Sequence, residues 1–213
     1  MSALDRHHIC VHGAHPPCSA DEYGPDMGVR PLLTLCGVSA LLGAILVGYK
    51  GLAILATNDQ PDHAFEVAPF FFGVSALTLV YAVIDDIQRP RWLLLTFGWL
   101  AAFAGVVAAI AHFAGREDDF GDLGYLVSTV STVVLFLMIG RDIRRKRLLG
   151  PWSFAPILLA LSLVLAIPIG AILEGIDERF LEIALLGVAG VWAMLGVGAL
   201  TTRPQSQTNP DHA

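Results

Sequence analysis

The chain alternates between long apolar stretches and short polar connections. Six stretches are uninterrupted enough to cross a bilayer as helices: Leu32–Ala56, Val67–Ile84, Trp92–Phe113, Leu123–Gly140, Trp152–Leu173 and Ile183–Leu200. Each holds about 18–25 residues, and a helix rising about 1.5 Å per residue needs roughly 20 to cross hydrocarbon. The pattern predicts an all-α polytopic membrane protein of six transmembrane helices. Residues 1–31 read as a polar tail, 32–200 as the membrane domain, and 201–213 as a disordered tail.

Composition supports this class. Hydrophobic residues make up 55% of the chain and charged residues 15%, against roughly 25% charged in a soluble domain. A chain of 213 residues cannot bury six such runs in one soluble core.

The charges set an orientation. Ten of the 13 Lys and Arg residues lie in the tails and in the connections after runs two and four. Only Arg116 and Arg179 lie on the opposite side, and Lys50 falls inside run one near its outer end, placed to snorkel. Cytoplasmic loops carry the excess of Lys and Arg, so both termini are expected in the cytoplasm. Arg outnumbers Lys 11 to 2, which suggests a GC-rich bacterial source and therefore a bacterial cytoplasmic membrane. The net charge of −6 does not speak of nucleic acid, because the two faces differ in sign. The cluster Arg141, Arg144, Arg145, Lys146 and Arg147 reads as a loop that contacts anionic lipid headgroups. Trp92 and Trp152 open runs three and five at the inner interface, and Tyr49 and Tyr125 fall near the outer one.

A weak repeat runs through the polar connections. Asp86-Ile87-Gln88-Arg89 follows run two, and Asp142-Ile143-Arg144-Arg145 follows run four 56 residues later. Three tandem two-helix hairpins would produce it, and so would positive-inside selection acting alone. Small residues four apart predict packing faces: Ala40, Ala44 and Gly48 in run one, Ala101, Gly105 and Ala109 in run three, Ala189 and Ala193 in run six. Pro156 and Pro168 should bend run five. Cys36 reads as a packing residue.

Chemistry is sparse. No ionisable side chain lies in the middle third of any run, which argues against proton- or ion-coupled carriers, haem ligation and intramembrane serine proteolysis. No catalytic or cofactor signature is present. The outer connections are acidic, and His63, His112, Asp118 and Asp119 are the best candidates there for a divalent cation, although their spacing fits no known loop and a solvated acidic face that excludes positive charge is the simpler reading. Cys10, His12, His15 and Cys18 form a second, weaker candidate for Zn²⁺. They precede Met27-Gly28-Val29-Arg30, which resembles a translation start, so residues 1–26 are expected to be dispensable or untranslated.

Three functions compete. A non-catalytic assembly or accessory protein, acting through helix or lipid contacts with a membrane partner or a second copy, requires nothing the sequence lacks. A small permease for a neutral or amphipathic solute needs a polar path, for which Ser75, Thr78, Ser128, Thr129, Ser131 and Thr132 are available. A membrane enzyme at the outer face would need His112 with Asp118 or Asp119.

Overall fold

The computed structural model describes residues 26–57, 66–114, 121–176 and 181–202. Among them the chain is helical, with no strand. The helices are α1 (Asp26–Thr57), α2 (Ala68–Val83), α3 (Arg91–Phe113), α4 (Asp122–Lys146), α5 (Ala155–Glu174) and α6 (Leu181–Thr201), with a 3-10 turn at Gly150–Trp152 ahead of α5. Four stretches are long and apolar enough to cross a membrane: Gly28–Thr57, Arg91–Phe113, Asp122–Lys146 and Glu182–Thr201. The α2 helix has 16 residues.

Each helix packs on its neighbours in sequence, and α1 packs most extensively on α6. The six therefore close into a ring, with a lesser contact between α2 and α4 across its interior. Consecutive helices run in opposite directions. Lys146 at the end of α4 donates to the Asp86 carbonyl beyond α2, and Gly198 near the end of α6 abuts Trp152 ahead of α5. The first and last helices share the largest interface, so any two-helix hairpins are packed into one closed ring.

Several helix ends depart from the apolar runs. The α1 helix starts at Asp26, six residues before the first run, and carries Pro31 inside it. The basic cluster is not a loop. Arg141 to Lys146 are the last residues of α4, which stops at Arg147 in a left-handed cap with φ 53°. A cationic last turn complements the helix dipole, so charge extends the helix beyond its apolar part. The cap closes with the Leu148 amide donating to the Ile143 carbonyl at 3.1 Å. Pro156 does not bend α5. It is the second residue of that helix, where the missing N–H costs nothing. Pro168 does lie inside α5.

The core is apolar, and so is much of the outer surface, unlike that of a water-soluble bundle. Ser75, Ser128, Ser131 and Thr132 are buried, while Ile45, Leu52, Phe103, Ile110, Leu126 and Ile172 are exposed. Large apolar side chains outside and small hydroxyls inside suit a lipid surround, where close packing and interhelical hydrogen bonds replace the hydrophobic drive.

The close approaches fall where glycine permits them. A Cβ on Gly73 of α2 would lie 2.6 Å from the Ala102 Cα, and one on Gly105 of α3 would lie 2.5 Å from the Pro69 carbonyl oxygen. The α2–α3 crossing is thus backbone against backbone. At the ring closure, Gly37 of α1 meets the Gly196 carbonyl of α6, 2.8 Å from an added Cβ.

Candidate functional site

Ring closure leaves a cavity of about 370 Å³ inside the bundle. Five helices line it: Val47 and Lys50 from α1, Ala68, Pro69 and Phe72 from α2, Tyr125, Ser128, Thr129 and Thr132 from α4, Leu163 from α5, and Leu185, Val188 and Trp192 from α6, with Glu66 just ahead of α2. Its volume lies within the range of small-molecule sites, and its lining has their composition, largely apolar with a few polar groups.

The cavity is polarised along its length. Lys50, Glu66 and Tyr125 sit at the end where α1 finishes and α2, α4 and α6 begin, and the Tyr125 hydroxyl donates to a Glu66 carboxylate oxygen. Thr132 lies seven residues deeper along α4, roughly 10 Å at 1.5 Å per residue. There the walls are Phe72 and Trp192, which stack with ring centroids 4.2 Å apart and planes 12° from parallel. Phe136 backs Trp192 at 5.7 Å. Alternating helix direction brings these groups together: the late residues of α1 and the early residues of α2, α4 and α6 share one end.

The hydroxyls expected to form a polar path divide into two groups. Ser128, Thr129 and Thr132 line the cavity. Ser128 also donates to the Ala101 carbonyl of α3 at 2.9 Å, tying α4 to the α2–α3 crossing. Ser75 and Thr78 lie elsewhere. Ser75 contacts the buried Cys36 thiol of α1 at 3.4 Å, and Thr78 donates to the Val74 carbonyl one turn back. Ser131 is buried but does not line the cavity.

The other candidates are scattered. His112 is near the end of α3 with its ring edge-on to Phe113 at 5.7 Å. Its companions His63, Asp118 and Asp119 lie outside the described residues, as do Cys10, His12, His15 and Cys18. Among the described residues no three His, Cys, Asp or Glu side chains gather as metal ligands. Arg141, Arg144, Arg145, Lys146 and Arg147 are all exposed around the end of α4.

In the small-residue stripes, Ala40, Ala44, Ala101, Gly105 and Ala189 are buried, whereas Ala109 and Ala193 are half-buried. An added Cβ on Gly48 meets nothing within 4 Å.

For three residues the sequence did not indicate a place at or beside the cavity, although Glu182 is counted among the acidic outer residues. Lys50, assigned there to the membrane interface, lines the cavity. Glu182 is buried, and its Oε2 has no hydrogen-bond partner among the described residues. Trp192 is 1% exposed and its Nε1 likewise has no partner. A signal for Trp192 was available: tryptophan favours membrane interfaces, and this one falls in the middle of its run. Comparison with protein-family models, curated proteins and solved structures finds no match.

Proposed function

We propose that the chain is a six-span protein of the cell membrane, termini and basic helix ends cytoplasmic, that admits a small neutral or amphipathic solute into its bundle as a permease. The observation that carries this reading is the cavity lined by Ser128, Thr129 and Thr132 opposite Phe72 and Trp192. Binding sites of membrane carriers lie near the bilayer midplane between helices, and this cavity extends from the helix ends to the middle of α6. The short α2 and the proline-containing α5 complete the six spans because each runs antiparallel between two long apolar helices in the ring.

Uptake into proteoliposomes tests the reading, with a panel of radiolabelled neutral and amphipathic solutes. Val47→Phe and Thr132→Phe fill the cavity from opposite walls. Transport of one solute by the parent protein, lost in both variants while thermal stability is kept, supports the proposal. A panel without any saturable uptake defeats it.

A second reading is favoured by a separate observation. Gly48 of α1 and Gly187 and Gly190 of α6 face open space, leaving helix surfaces against which another helix can pack closely. They support an assembly or accessory role through a membrane-protein partner or a second copy. Gly190→Leu that abolishes co-purification or self-association without affecting stability would favour it over the permease.

A further inference from the structure

The two charged residues that line the cavity lie at the same end of it and carry opposite signs: Lys50 of α1 and Glu66 just ahead of α2. Lys50 stands seven residues before the end of α1, roughly 10 Å inward at 1.5 Å per residue. An ammonium placed only to snorkel would leave the bundle for the headgroups, whereas this one lines its interior. Ionisable groups at such positions in a membrane bundle point to a site. Glu66 is held in place, since the Tyr125 hydroxyl donates to one of its carboxylate oxygens. An ammonium has several donors and a carboxylate several acceptor positions, so each keeps its protein contacts and still takes a ligand group. Away from this end the lining is apolar. Phe72 lies six residues beyond Glu66, roughly 9 Å further in, and Leu163 and Val188 line the cavity with it.

We propose that the solute of the cavity is a zwitterion with an apolar body, of the α-amino acid type. Its carboxylate meets Lys50, its ammonium meets Glu66, and its side chain extends toward Phe72, Leu163 and Val188. This rests on the reading of the cavity as a solute site and names the class of solute. The charge pattern disfavours simpler ligands. A purely anionic head drawn to Lys50 sits near the Glu66 carboxylate, and a purely cationic head drawn to Glu66 sits near the Lys50 ammonium. Like charges so placed repel, more strongly in a bundle than in water. An uncharged solute displaces water from both charged groups and offers neither a counter-charge. A zwitterion has no net charge and presents each wall with its opposite. Ser128 and Thr129 add hydroxyl oxygens on the α4 side, three and four residues from Tyr125 and so on the same face of the helix.

Fluorine NMR on the full-length protein in detergent tests this with para-fluorophenylalanine and two trimmed probes, each corrected for its partition into protein-free micelles. Para-fluorophenylpropanoate lacks the ammonium, and para-fluorophenethylamine lacks the carboxylate. The parent protein should bind the amino acid about tenfold or more tighter than either, since each trimmed probe loses a hydrogen bond between charged groups. Lys50→Met should weaken the amino acid and the propanoate by about tenfold and change the amine by less than about twofold. Glu66→Gln, which still accepts from Tyr125, should weaken the amino acid and the amine and spare the propanoate. If either variant does not fold, the ranking of the three probes on the parent protein decides. An amino acid bound no tighter than its trimmed forms, or variants that weaken all three probes alike, overturns the assignment. If uncharged para-fluoroethylbenzene binds and is excluded by Val47→Phe while the amino acid shows no advantage, the cavity reading survives and the zwitterion does not. If none of the four binds, the assignment falls, and the uptake panel judges the permease reading on its own.

Discussion

Gly105 and Gly48 provide a matched pair for testing whether α2 and α3 meet backbone to backbone. Each sits within a helix, so Gly→Ala yields the same propensity gain at both, about 1 kcal/mol. Their surroundings differ. At Gly48 the new methyl meets nothing within 4 Å. At Gly105 it would lie 2.5 Å from the Pro69 carbonyl oxygen, 2.8 Å from its carbon and 3.0 Å from the Phe70 amide nitrogen. Ordinary contact begins at 3.4 Å, so the helices must part by about 0.9 Å, and separation on that scale forfeits a quarter to a half of each facing dispersion contact. All three atoms are backbone, so no flexible side chain can swing aside. Overpacking of this kind costs about 1–3 kcal/mol. Because the propensity gain cancels, Gly105→Ala should be about 1–3 kcal/mol less stable than Gly48→Ala, which should equal or exceed the parent. Reversible unfolding in mixed micelles, titrated with a denaturing detergent, measures both. A difference below about 0.5 kcal/mol, the scatter of neutral surface substitutions, would refute the crossing.

Two further outcomes follow from named contacts. Ser128→Ala removes the hydroxyl that donates to the Ala101 carbonyl and should cost about 0.6 kcal/mol, up to about 1.7, by the same titration, in line with interhelical hydrogen bonds in membranes. Replacing Arg144 and Arg145 by Gln removes two exposed charges from the end of α4. At about 1 kcal/mol of attraction each, the variant should retain clearly less anionic lipid on purification from mixed vesicles, with retention of zwitterionic lipid unchanged.

The helices were legible because lipid-crossing segments are constrained in both length and polarity, and α3 and α6 start and stop within two residues of their apolar runs. The errors have local causes. Hydropathy stopped run four at Gly140, but a charged sequence is equally able to be helical and a cationic turn is favoured at a helix C-terminus. Pro156 was read by residue type, whereas its effect depends on distance from the helix start. Small-residue spacing located packing faces without saying which neighbour each would meet. Gly37 and Gly196 meet across the ring closure, while Gly48 lies on an open face. The cavity was the least legible feature. Its lining comes from five helices, and the sequence contains no statement of which faces converge until the first helix packs against the last. Ser128, Thr129 and Thr132 were recognisable as available hydroxyls, but Ser75 and Thr78 looked the same and serve the α1–α2 contact or their own helix instead.

In the proposed six-span bundle the cavity is reached from the face opposite the basic helix ends. Thiol labelling of intact cells tests it directly, in a background with Cys10, Cys18 and Cys36 replaced by Ser or Ala. Thr129→Cys places a thiol in the cavity, and Arg145→Cys places one at the exposed end of α4. A membrane-impermeant maleimide added from outside should label Thr129→Cys in intact cells and Arg145→Cys only after permeabilisation. Labelling of Arg145→Cys in intact cells, with Thr129→Cys protected, would contradict both the orientation and the access.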